Sequence, residues 1–189
     1  MQRRELPRCP KRRTPPHRGG KRVLLGNDAY GGTFRLISKV WSPMGFPWTA
    51  VDLTDLDALR SDWPDDTGMI WLETPTNPLL TCFDIEEIAA IAHQRGAIVV
   101  VDNTFATPYL QQPITLGADI VVHSATKYLG GHGTTLGGVV VESGHFPWDN
   151  GKFPGMTEPS PGYHGVRFYE TFGNFGFTMR CRMEGLRVF

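Results

Sequence analysis

The stretch MIWLETPTNPLLTCFDIEEIAAIAHQRGAIVVV, Met69 to Val101, decides the fold. It opens on the apolar run Met69–Leu72 and closes on Ala97–Val101. The closing run is apolar on both faces of an extended chain, and such a strand belongs in a buried parallel sheet. Between the two, Ile85, Ile88, Ala89 and Ala92 recur at helical spacing, Asp84 is a good N-cap, Glu87 completes a capping-box pattern and Gly96 can stop the turn. The spacing therefore predicts a helix over Ile85 to Gln94, and with it a strand, helix, strand unit. Working outward, short apolar runs recur at Val23–Leu25, Thr49–Val51, Ile120–Val122 and Gly138–Val141. A shorter helix is expected to begin at Thr54, over Leu56 and Leu59, with Asp57 three residues on. Strands alternating with helices predict an α/β fold, a mostly parallel sheet with flanking crossover helices. From Tyr163 the chain turns aromatic and reads as a helical connecting element interrupted by Gly173 and Gly176.

Composition removes several classes of function. At 189 residues and 40% hydrophobic content the chain can build a real core. No apolar run approaches the roughly 18 residues that cross a bilayer, and none follows the basic start as a secretory signal requires, so the expectation is a soluble, cytoplasmic protein with no membrane partner. Cys9, Cys82 and Cys181 are odd in number, widely spaced and outside any CxxC pair, which reads as reduced thiols. Residues 1–22 hold nine of the 19 Lys and Arg against Glu5 alone. A basic arm for nucleic acid would carry such charge, but Pro7, Pro10, Pro15 and Pro16 prevent a basic helix and no aromatic residue is interleaved for base stacking. The segment is expected to be a disordered tail, with no nucleic-acid partner.

In an open parallel sheet, ligands sit beyond the carboxyl ends of the strands. Met69–Leu72 ends in Glu73 and Asn77, Ala97–Val101 in Asp102, and Ile120–Val122 in His123, Ser124, Thr126 and Lys127. A carboxylate, a lysine and a pair of hydroxyls would thus meet at one rim. Pyridoxal phosphate needs that combination: an amine for a Schiff base, hydroxyls for the phosphate, and an anion to keep the pyridine nitrogen protonated. Each group has a plainer reading, since an Asp after a strand is usually a turn or cap, a lone Lys is usually solvated and Ser-x-Thr usually caps something. Lys127 precedes the glycines at 130, 131, 133, 137 and 138, whereas a phosphate-binding P-loop places its lysine after them. The histidines show no HxxxH spacing and no GxSxG elbow occurs, which argues against a metal site and against serine hydrolysis.

The stretch VVVDNTFATPYLQQPITLGADIVVHSATKYLGGHGTTLGG, Val99 to Gly138, resembles the cystathionine and methionine metabolism family of pyridoxal-phosphate enzymes, of aspartate-aminotransferase-like fold (fold type I). The likeness extends through ETPTNP at Glu73–Pro78 and DAYGGTFRL at Asp28–Leu36 and on to the end of the chain. It implies that Lys127 carries the cofactor, that Asp102 pairs with its pyridine nitrogen and that Ser124 and Thr126 bind its phosphate. It further implies that Tyr30 stacks on the ring and serves catalysis with Lys127, and that Asn77 lies by the ring oxygen. GHGTTLGGVVVESGHFPW and the segment Gly151–Phe177 look like O-acetylhomoserine sulfhydrylases, whereas ETPTNP and YGGTFRLISKV look more like cystathionine γ-synthases and γ-lyases.

The implied reaction is a γ-replacement in which O-acetylhomoserine loses acetate and takes up sulfide or a thiol, giving homocysteine or methionine, in a homo-oligomer (dimer or tetramer). Cystathionine γ-synthesis or γ-elimination, and a non-catalytic fragment, stay open as alternatives. The family's partner-contributed Tyr and Arg, its Ser-Gly-Met turn and its small C-terminal domain find no counterpart in this sequence. Residues 23–189 therefore read as a partial cofactor-binding large domain behind the tail.

Overall fold

The structure, a computed structural model, describes residues 21–186. Cys9 and almost all of the basic segment 1–22 lie outside the described residues. Five strands run parallel: β1 (Arg22–Gly26), β2 (Trp48–Val51), β3 (Thr67–Glu73), β4 (Ile98–Asp102) and β5 (Ile120–Ser124). A sixth, β6 (Gly138–Glu142), pairs antiparallel with β5, and the order across the sheet is β2-β1-β3-β4-β5-β6. The helices are α1 (Gly31–Arg35), α2 (Leu56–Ser61), α3 (Ile85–Gln94), α4 (Thr107–Leu110), α5 (Pro154–Thr157), α6 (Phe168–Phe172) and α7 (Gly176–Arg180).

Alternation along β4 explains the layering. Val99 and Val101 join Leu24, Ile70 and Leu72 in a core closed by Ile85, Ile88, Ala89 and Ala92 of α3. Ile98 and Val100 point the other way, with Ile120, into a second core built from Phe146, Trp148, Met156 and Phe168. Side chains that alternate along a strand can be apolar throughout only if both faces are covered, as they are here. The expected aromatic connecting element is thus also a wall of the second core, with Phe168 fully buried. Gly173 ends α6 and Gly176 starts α7 with its Cα beside the Phe168 carbonyl, so the interruptions fall where expected.

Three local expectations change. Arg22, counted with the tail, opens β1 and ties it down by donating to Asp66 at 2.8 Å and to the Thr49 hydroxyl at 2.9 Å. The cap of α2 is Asp55, which accepts from the Ala58 amide at 2.9 Å, while Thr54 donates instead to Asp52. A carboxylate one residue nearer the turn wins because its oxygen reaches the exposed third amide directly. Asp84 does cap α3, accepting from the Glu87 amide at 3.0 Å, but the Glu87 carboxylate accepts from Arg60 at 2.8 Å rather than closing a capping box. Gly96 follows α3 with φ of +65°, the left-handed geometry that ends a helix at low cost in glycine.

Candidate active site

The sheet register sets the site. Glu73 of β3 pairs with Asp102 of β4, so two carboxylates stand side by side at the carboxyl ends of adjacent strands. Ser124 closes β5 at the same rim, and the chain then turns through residues 125–129. Lys127 breaks the helical geometry of that turn, with φ of −87° and ψ of −123°. Tyr30, at the start of α1, arrives from the end of β1 on the far side of Glu73. Here the chain order reverses, β2 lying to one side of β1 and β3 to the other, and such a switch leaves a crevice beyond the strand ends.

A cavity of about 500 Å³ fills that crevice, lined by Tyr30, Glu73, Asn77, Asp102, Ser124, Thr126 and Lys127. Every rim residue singled out from the sequence except His123 therefore meets the same space; His123 is buried and lines a separate cavity with Asn103 and Gln111. Phe105 and Tyr128, edge to face at 5.9 Å, add an aromatic wall, and Gly131 and Gly133 supply backbone without side chains. Tyr30 is half exposed beside Gly32, where an added Cβ would run into its ring. That glycine lets the aromatic face lie along the turn.

The polar groups differ in how far they are committed. Asp102 Oδ1 accepts from the Thr104 amide at 3.0 Å. The Thr104 hydroxyl in turn accepts from the Ser124 amide at 2.8 Å, joining the ends of β4 and β5. The Thr126 hydroxyl accepts from the Gly137 amide at 3.0 Å and donates to the Gly137 carbonyl at 3.3 Å, so binding an anion costs it only the longer bond. Lys127 is exposed, and no ion pair of its amine occurs among the described residues. Lys152, by contrast, donates to the carbonyls of Thr67 and Arg95 at 2.8 and 2.6 Å, away from the cavity. Burial pushes the Glu73 carboxyl from 4.5 up to about 7; the Tyr30 amide opposes the shift and the Asp102 and Asp28 carboxylates add to it.

These groups fit pyridoxal phosphate: one free amine, an anion on the neighbouring strand, hydroxyls at the start of the following turn, a flat phenol ring and room for one pyridine ring with its phosphate arm. Sequence reading placed Glu73 at the rim without giving it a role, and it did not single out Thr104. The signals were available: Glu73 ends its strand as Asp102 ends the next, and Thr104 stands two residues after an Asp, the spacing of an Asx turn.

Residues 17–159 match the model of a family described as Cys/Met metabolism PLP-dependent enzyme. O-acetyl-L-homoserine sulfhydrylase of Leptospira meyeri is 41% identical over 176 residues, 89% of this chain and 40% of its own length. Cystathionine beta-lyase of Lactococcus lactis subsp. cremoris is 56% identical over 121 residues, 64% of this chain and 32% of its own. A crystal structure from Campylobacter jejuni, described as an O-acetylhomoserine (thiol)-lyase with N'-pyridoxyl-lysine-5'-monophosphate, superposes with a TM-score of 0.83 at 35% identity, covering 89% of this chain and 42% of that one. The chain thus spans about 40% of the length of the sulfhydrylase relative.

Proposed function

The chain belongs to the Cys/Met metabolism PLP-dependent enzyme family, and from that premise we propose that its rim cavity binds pyridoxal phosphate on Lys127 and serves γ-replacement on O-acetylhomoserine by sulfide or a thiol. The fold is that of the aspartate-aminotransferase-like pyridoxal-phosphate enzymes. One observation carries the proposal: the uncommitted Lys127 amine, the Asp102 carboxylate and the Ser124 hydroxyl line one cavity.

Pyridoxal phosphate, when bound, supplies an aldehyde carbon that condenses with amines and a pyridinium ring that accepts carbanion electrons. Lys127 would provide the amine that holds it and is the basic group of the cavity that could take a proton from the substrate Cα. Asp102, steadied by the Thr104 amide on one oxygen, would keep a proton at the pyridine nitrogen. Ser124 and Thr126 donate to the phosphate. Tyr30 and Asn77 line the same cavity, where the phenol ring would wall the cofactor and the amide would lie by the ring oxygen and the substrate.

The sulfhydrylase reading is supported by a relative that matches 89% of the chain. An elimination on cystathionine is the second reading, favoured by the 56% identity of the lyase over a shorter stretch. The test has two stages. Purified chain with added cofactor should absorb in the visible, and borohydride should fix the cofactor to Lys127; label on Lys152 or on no lysine would overturn the site. Product assays with O-acetylhomoserine plus sulfide, and with cystathionine, then separate the reactions. Homocysteine from the first substrate pair alone supports replacement, and cleavage of cystathionine alone supports the lyase.

A further inference from the structure

Glu73 is 5% exposed, yet no cation pairs with it among the described residues. Its neighbours are the wrong sign: Asp102 faces it from β4 and Asp28 from the segment after β1. Burying a carboxylate among carboxylates is costly, and a group kept there needs a compensating bond. That bond is the Tyr30 amide, which donates to Glu73 Oε2 at 2.7 Å, a short contact that becomes charge-assisted once the carboxyl ionises.

The turn that Tyr30 occupies needs such a tie. Its side chain is 47% exposed, so core packing does not hold it, and α1 has no side-chain cap. Locally the Ala29 amide donates to Gly26 and the Phe34 amide to Tyr30, bonds that stay within the turn itself. At its start the turn is held to β2 by the Asn27 amide, which donates to the Val51 carbonyl at 2.9 Å, and Thr81 reaches Asp28 at a long 3.4 Å, so the Tyr30 to Glu73 bond is the short link between the far end of the turn and β3.

We propose that Glu73 is a positioning residue that clamps the Tyr30 turn to the end of β3, so that the Tyr30 ring is set in advance as a wall of the cofactor cavity. This rests on the reading of the cavity as the pyridoxal-phosphate site, but the clamp itself is a property of the chain without cofactor. Glu73 acts through the Tyr30 backbone and needs no contact with the cofactor. An ionised acceptor holds the amide more tightly than a protonated one, so the clamp tightens as pH rises through neutrality, with Asp102 and Asp28 as the charges that face it.

The test compares Glu73→Ala, which removes the acceptor, with Glu73→Gln, which keeps one and removes the titration. Hydrogen exchange of the Tyr30 amide is read in the cofactor-free chain, and pyridoxal-phosphate affinity by fluorescence titration. Loss of a hydrogen bond to a charged group predicts Tyr30 exchange and the cofactor dissociation constant each raised by about 10-fold in the alanine variant. Gln should restore both to within about 3-fold, and Tyr30 protection, corrected for intrinsic exchange, should lose its slope between about pH 6 and 8. Unchanged Tyr30 exchange in Glu73→Ala, or a Gln variant with the wild-type pH slope, overturns the clamp. If the alanine variant does not fold, the Gln pH profile decides alone. Absence of borohydride-fixed cofactor on Lys127 in the unmodified chain would instead overturn the site reading, leaving the exchange result to stand or fall separately.

Discussion

Asp102 and Thr126 show how one side chain can serve structure and chemistry at once. Asp102 spends Oδ1 on the Thr104 amide and keeps a second oxygen at the cavity; Thr126 holds Gly137 through both its lone pair and its proton. Asp102→Asn preserves the acceptor for Thr104 while deleting the anion, so the variant should fold with an unfolding midpoint close to that of the parent. Loss of preorganised charge at the pyridine nitrogen should slow exchange of the substrate Cα hydrogen by about 100-fold or more. Loss of deuterium from Cα-labelled O-acetylhomoserine, followed in water with cofactor present, measures this. Exchange at the parent rate would mean that another group holds the nitrogen. Asp102 was legible at the rim because it directly follows an apolar run, and Ser124 and Lys127 because they come within five residues of the end of the next. Glu73 was legible only as a place, because its role depends on an amide 43 residues away.

Elements were read best where one face repeats. The helix Ile85–Gln94 emerged with its expected bounds because cap, periodicity and terminator agree along ten residues. Asp84 is the sharp test of that agreement: Asp84→Ala removes the acceptor for the Glu87 amide and should lower stability by about 1 kcal/mol, measured by denaturant unfolding. A loss below a few tenths of that would show that the Arg60 to Glu87 bridge and core packing fix the helix start without the cap. The cap of α2 was misplaced by one residue because Thr54 and Asp55 are both good caps and only the geometry chooses between them. The π-helical turns at Leu36–Trp41 and Cys181–Leu186 had no sequence signal, since their hydrogen-bond spacing, wider than that of an α-helix, corresponds to no apolar repeat along the chain.

Across the whole molecule, the unbroken apolar run of β4 foretold that both faces of the sheet are covered, whereas the placement of β2 outside β1 rests on long-range pairing that no local pattern encodes. Proton linkage also acts at this scale. Glu73 holds its proton up to about 7 in the folded chain against an ordinary 4.5. Between those values the native state carries a proton that the unfolded chain has released, so stability falls as pH rises through the window and levels off above it. His93, 26 residues from its partner Asp119 and 2.9 Å from it in space, is raised by that hydrogen bond against the opposing effect of burial. Its contribution is fully present below 6.5 and is lost as pH rises through the higher folded value, the same sign as Glu73. Asp66 runs opposite: the Arg22 contact lowers it, so its contribution is present above 3.8 and lost as pH falls below. The stability optimum therefore lies on the acid side of neutrality. Urea unfolding at about pH 5 and pH 8 should show the chain less stable at the higher pH, with Glu73 accounting for on the order of 2 kcal/mol. Glu73→Gln should remove that part of the slope and leave the smaller His93 part, so equal slopes in parent and variant would show that Glu73 is already ionised in the folded chain near pH 5.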